Sequence, residues 1–259
     1  MTKNVAKQDE DRVPATTEED YADQYAGEGT KVDSEHTVTP RVIILQGLSP
    51  QVKRNNVSYV EGAKPGDIYL SAYHEPIVSG DEGIAFQPCL FQTPWEVRTP
   101  KTDTQPANFI AMFDDIQRGW VSHRSDKGFT WYETPDGNHA QQVHLHLGLL
   151  HIGGQVLPYA IKFAGTGMFI SKQWNGVIGS RLTVTGKPAA RFTFTYRMRV
   201  KSQTNAIGEW GQWSITPLGK ATAEQMRIGH ELAQAFREGR RTVEADVPGE
   251  VHDDDREAM

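Results

Sequence analysis

Two adjacent glycines, Gly153 and Gly154, separate two apolar runs, 143–152 and 156–163. A Gly-Gly pair supplies the positive φ of a two-residue turn, so the runs read as an antiparallel hairpin. The surroundings of this hairpin restrict the fold further. A parallel α/β architecture needs a helix between most strands, and the flanking sequence offers short strands and turns instead. The β-branched run 41–46 reads as a buried strand, broken by Leu48-Ser-Pro-Gln51. Gly62-Ala-Lys-Pro-Gly66 is a turn feeding a strand over 67–72. Residues 84–98 contain Pro88 and Pro94, which predicts an edge strand or two short ones. Residues 112–117 read as one helical turn, and 129–133 as a strand closed by Pro135-Asp-Gly137. Residues 191–201 alternate cleanly and pair with 210–215 across Asn205-Ala-Ile-Gly208. Two helices are expected. Ile170, Trp174, Val177, Ile178 and Leu182 recur at helical spacing over 170–182. The second helix covers 221–241, with Thr222 as N-cap. The predicted fold class is mainly β: an OB-like antiparallel barrel or curved sheet with one or two helices.

Charge divides the chain. Of 27 Lys and Arg and 33 Asp and Glu, residues 1–38 hold 4 and 10, and residues 242–259 hold 1 and 7. The remainder, 39–241, keeps 22 bases against 16 acids, so a +6 body lies between two −6 ends. Neither end has enough apolar sequence to offset the entropy of ordering it. Both are expected to be disordered acidic tails, leaving 39–241 as a single β-rich body. The one cysteine, Cys89, excludes an intramolecular disulfide and a multi-cysteine zinc site. No apolar run approaches the roughly 18 residues that span a bilayer, and no hydrophobic signal region opens the chain. A soluble protein without a membrane partner is expected.

The alternation in 191–201 places Phe192, Phe194, Tyr196, Met198 and Val200 on one face. Arg191, Thr193, Thr195, Arg197, Arg199 and Lys201 fall on the other. Elsewhere aromatics and bases are neighbours: Trp95 with Arg98, Trp120 with Arg118 and Arg124, Trp131 and Tyr132 with Lys127, and Trp174 with Lys172. Single-stranded nucleic acid is held by this combination. Bases stack on aromatic faces for about 1–3 kcal/mol each, and cations follow the phosphates. The competing reading is that the aromatics are core and the bases are simply solvated. Trp120, Trp131 and Tyr132 lie among polar residues and are the better candidates for exposure. The acids Asp253, Asp254, Asp255 and Glu257 suit a mobile tail that competes for a basic groove and contacts basic partner proteins.

Signals for catalysis are sparse. His139, His144, His146 and His151 cluster in sequence, and the strand-spaced pair His144 and His146 share a face. A cupin-type metal site also opens with such a pair, but it then needs a glutamate a few residues on, where this chain has Gly148-Leu-Leu-His151. Gly165-Thr-Gly167 lacks the lysine of a phosphate loop, and there is no Gly-x-Ser-x-Gly elbow. Asp114 and Asp115 read as solvated, and Cys89 as a small core residue. No catalytic residue, metal or cofactor is expected.

Several segments together resemble a group of bacteriophage single-stranded DNA-binding proteins. They are Pro40-Arg-Val-Ile-Ile-Leu-Gln-Gly-Leu-Ser-Pro50, Glu61-Gly-Ala-Lys-Pro-Gly-Asp-Ile68, Pro158-Tyr-Ala-Ile-Lys-Phe-Ala-Gly-Thr166, Ser171-Lys-Gln-Trp174, Pro188-Ala-Ala-Arg-Phe192 and Gly208-Glu-Trp-Gly-Gln-Trp213. The resemblance covers roughly 40–216. It implies an OB-fold core with an acidic C-terminal tail, single-stranded DNA as ligand, and replication or recombination proteins as partners of the tail. It also implies residence in the cytoplasm of the infected host cell, and it is compatible with a homo-oligomer. Two alternatives stand beside it: a β-rich phage structural or assembly protein, and a His-ligated metal enzyme of cupin-like type.

Overall fold

The computed structural model describes residues 38–102, 107–125, 128–205 and 208–244. The chain passes through β1 (Val38–Thr39), β2 (Arg41–Ile44), a 3-10 turn (Pro50–Val52), β3 (Ile68–Leu70), β4 (Ile77–Val78), β5 (Ile84–Gln92), β6 (Trp95–Arg98) and β7 (Phe109–Phe113). It continues through β8 (Val121–Arg124), β9 (Thr130–Glu133), β10 (His139–Gln142), β11 (His144–Ile152), β12 (Gln155–Phe163) and α1 (Gly167–Gly179). A second 3-10 turn (Arg191–Thr193), β13 (Phe194–Asn205), β14 (Gly208–Lys220), α2 (Ala223–Arg237) and β15 (Thr242–Val243) complete it.

The Gly153-Gly154 turn joins β11 to β12 with φ of 56° and 77°. This hairpin sits inside an eight-stranded sheet of order β14-β13-β5-β11-β12-β2-β3-β4. All of its pairs are antiparallel except β12 with β2. Alternate residues of the hairpin feed two cores. Leu150, Tyr159, Ile161 and Phe163 join Trp174 and Ile178 of α1 on the inner face. Leu145, Leu147, Leu149 and Ala160 join Leu232, Ala233 and Phe236 of α2 on the outer face. With a helix on each face, β11 is buried almost throughout, which is why its sequence reads as a continuous apolar run.

The sheet curls around α1. Where the curl brings distant strands together, the Gln46 side-chain amide bonds both the N–H and the C=O of Gly211 at 3.0 Å. The Val200 N–H donates to the Gly80 carbonyl at 2.9 Å. The fold is therefore mainly β, a curved sheet with two helices.

A second sheet has the order β7-β6-β10-β9-β8. It grows out of the first, because β5 runs on into β6 and β10 runs on into β11. The Val143 N–H bonds the Pro94 carbonyl at 2.9 Å where the two sheets meet. Glu96 ties the joint from inside. It accepts from Lys162 Nζ of β12 at 3.0 and 3.2 Å and from Arg98 Nε.

Several local expectations change. Residues 112–117 form no helical turn; Phe109–Phe113 is strand β7, held by pairing with β6. Residues 84–98 are two strands, yet the first lies between β13 and β11 rather than at an edge. Pro88 is tolerated there because the β5–β11 register shifts beside it, with Leu147 opposite Leu90 and Gly148 opposite Pro88. Arg191–Thr193 is a 3-10 turn, so the regular alternation starts only at Phe194. Pairing also extends beyond 39–241: β1 and β15 lie parallel, with Val38 opposite Thr242. Thr222 caps α2 through a reciprocal box with Gln225.

Candidate nucleic-acid interface

Trp95, Trp120, Trp131 and Tyr132 lie in or beside the smaller sheet, where they pack mainly against one another. Trp131 is sandwiched between His123 and His139, each ring 4.3 Å away and within 15° of parallel. Both indole faces are thereby covered, and none is left for a base. On the other side of the sheet, Trp120 meets Trp95, Phe113 and Tyr132 at 5.6–6.4 Å between ring centres. Arg118 and Arg124 are exposed, but Arg98 is buried against Glu96. The segment 95–143 carries 5 bases and 7 acids, a poor field for phosphates. Lys127 and the tail acids Asp253, Asp254, Asp255 and Glu257 lie outside the described residues.

The bases of 191–201 are divided by the fold. Arg191 turns inward, over the Phe91 ring at 5.3 Å. Its Nη2 reaches Asn175 Oδ1 at 2.9 Å and His146 Nδ1 at 3.2 Å. Burial lowers the Arg191 pKa to about 10. Phe192 leaves the face of Phe194 and packs on the α2 side, against His230. Arg197 is half-buried, while Arg199 and Lys201 are exposed.

A stronger signal is one of omission. Between Asp136 and Glu209 the sequence has no Asp or Glu, yet it has eight Lys and Arg: Lys162, Lys172, Arg181, Lys187, Arg191, Arg197, Arg199 and Lys201. This stretch contains α1 and β13. Together with β14 they border a groove of about 810 Å³. Phe169, Gln173 and Val177 of α1 form one wall, and Gln212, Ser214 and Pro217 of β14 form the other. Lys201 also lines it, and no lining residue is acidic. Phe169 is 64% exposed. Lys172 is exposed on the same helix. Arg181, just beyond the helix, stands over the Phe194 ring at 5.2 Å.

α1 divides its side chains between this groove and the core. Ser171, Trp174 and Ile178 are buried. Trp174 stacks on His146 at 4.4 Å. Ser171 Oγ lies 2.8 Å from His144 Nδ1 and 2.7 Å from His146 Nε2. The strand-spaced histidines thus share a face, as their spacing implies, but Ser171 and Arg191 engage both ring nitrogens of His146, and Ser171 engages Nδ1 of His144. His151 points to the opposite face and bonds Gln87 and Gln225, and His139 belongs to the other sheet. Among the described residues no group of three or more His, Cys, Asp or Glu could hold a metal ion. Cys89 is buried, and desolvation pushes its thiol up to about 12.

The chain matches the family described as Pam3 phage gp34-like protein over residues 7–242. No curated protein and no solved structure matched. The family match spans the whole two-sheet body together with most of the acidic segment before it. The chain therefore belongs to the Pam3 phage gp34-like family and is a phage-related protein.

Proposed function

We propose that this phage-related protein binds single-stranded DNA, without strong sequence preference, in the groove between α1 and β14. The observation that carries the reading is the acid-free stretch between Asp136 and Glu209, which supplies the α1 wall and Lys201. Phosphates need cations without competing carboxylates, and bases need apolar faces; Lys201 and exposed Phe169 of the groove offer both. Every base has a π-face, so such contacts tolerate any sequence. In this reading the acidic C-terminal tail competes with the strand for the groove and, once displaced, recruits replication or recombination proteins in the host cytoplasm. The protein has no catalytic role in it.

The test is fluorescence anisotropy with a labelled poly-dT oligonucleotide against a duplex of the same length. Binding should favour the single strand, and log K should fall with log salt by about 0.7 per phosphate neutralised. The Phe169→Ala and Lys201→Ala double variant should bind at least about tenfold more weakly, the loss of one stacked base or more. Equal affinity for duplex, or a double variant that binds like the parent, overturns the proposal. Binding to neither nucleic acid, with co-sedimentation in virions, would favour the structural-protein alternative.

A further inference from the structure

α1 rests on the sheet through a polar chain as well as through Trp174 and Ile178. Arg191 Nη2 can only donate, so the His146 Nδ1 it meets at 3.2 Å carries a lone pair. His146 then holds its proton on Nε2 and donates it to Ser171 Oγ at 2.7 Å. With that Oγ lone pair filled, the Ser171 hydroxyl is placed to donate to His144 Nδ1 at 2.8 Å. The Arg191 link fixes the direction at His146 and requires its imidazole to be neutral. Arg191 also holds Asn175, one turn further along α1. We propose that this Arg191–His146–Ser171–His144 chain is a pH-sensitive latch, which keeps α1 seated on the sheet at neutral pH and releases it on acidification.

The surroundings favour the same behaviour. His146 is fully buried, with Phe91 of β5 at 4.9 Å, Phe163 of β12 at 5.2 Å and Trp174 of α1 at 4.4 Å. The ionisable neighbours are Lys172, which faces His144, together with Arg191 and, around Arg191, Cys89 and Tyr196. None of β5, β11, β12, α1, the 191–193 turn or β13 contains an Asp or Glu. A proton on His144 would therefore meet Lys172, one on His146 would meet Arg191, and none of these elements offers a carboxylate. Burial first, and the neighbouring cations second, lower the proton affinity of both histidines, His146 well below the ordinary value of 6.5. With α1 released, both rings meet water and recover that ordinary affinity. The released form binds more protons, so the latched fraction falls as the pH drops below about 6.5, by up to tenfold per pH unit for each titrating histidine.

Hydrogen exchange of the full chain reads this directly. Protection factors of α1 amides are compared with those of the β13–β14 ladder, which report global opening. Between about pH 7.5 and 5.5, α1 protection should fall at least tenfold further than the ladder. The double variant His144→Asn with His146→Gln keeps hydrogen-bonding amides but no titrating ring, and it should lose this difference. Ser171→Ala, a small change that keeps the packing, should lower α1 protection already at neutral pH and flatten its pH dependence. Parallel behaviour of α1 and ladder at both pH values, or a pH dependence that survives in both variants, overturns the latch. The inference concerns the helix itself and stands whether or not the groove takes DNA.

Discussion

Substituting Glu96→Gln keeps the shape of a side chain and removes one charge from a site that water does not reach. The Glu96, Lys162 and Arg98 side chains are 1, 6 and 8% exposed. The carboxylate accepts from Lys162 at both oxygens and from Arg98 Nε. A glutamine retains one acceptor but turns an NH₂ donor toward two cations. Removing one member of a buried ionic group costs about 3–5 kcal/mol, because the charges left behind have lost their hydration and the carboxylate that faced them. For a body of this size each kcal/mol lowers Tm by roughly 2–4 °C, so a fall of about 6–20 °C should follow. Urea unfolding followed by circular dichroism measures the same loss as a drop in midpoint at constant m-value. Replacing all three side chains at once, with Glu96→Leu, Arg98→Met and Lys162→Met, should recover most of it, since the carboxylate and both cations leave together. A loss below about 1 kcal/mol for Glu96→Gln would mean that water reaches the joint between the sheets. It would refute the reasoning.

Two further outcomes rest on geometry and one on charge. Gly148→Ala should destabilise by about 1–3 kcal/mol or more, because a Cβ there would lie 2.3 Å from the Gln87 carbonyl and 2.7 Å from the Phe86 ring; thermal melts check this. Trp131→Ala removes two ring stacks worth about 1–3 kcal/mol together, so it should lower stability while leaving the affinity of the folded protein for poly-dT unchanged; weaker binding at equal stability would return Trp131 to the interface. Deleting 245–259 removes six acids and one arginine, a tethered competitor at high effective concentration; affinity for single-stranded DNA should rise, most at low salt, and a fall would end the competitor role of the tail.

Local rules were enough to read the β11–β12 hairpin, the mainly β class and the Thr222 cap. Each depends on a few adjacent residues, such as Gly153-Gly154, that act through backbone geometry alone. The smaller sheet was less legible. Its strands β7, β8 and β10 are four or five residues long, too short for a period to emerge, and they are strands because their neighbours pair with them. Pro88 argued for an edge because its missing N–H is a local fact, whereas the bulge that accommodates it depends on Gly148, sixty residues away. The alternation of 191–201 fails at its first three residues for a similar reason. Arg191 is drawn inward by Asn175 and His146, partners that no spacing within the segment reveals. The acid-free stretch was present in the sequence throughout, but counting charge over the whole body averaged it away. Distribution along the chain, rather than net charge, separates the smaller sheet from the groove.

The hydrogen bond from the Val143 N–H to the Pro94 carbonyl has a consequence for how this architecture tolerates change. The chain leaves the larger sheet at one of these residues and returns at the other, side by side. Everything between them is an excursion with closed ends. Its length can grow or shrink without moving the register of β5 against β11, and lengthening it adds little closure entropy because that cost rises only with the logarithm of length. The excursion is thus a place where insertions, deletions or whole replacements leave the curled sheet and its two cores intact, and Glu96 marks how far into the excursion that freedom begins.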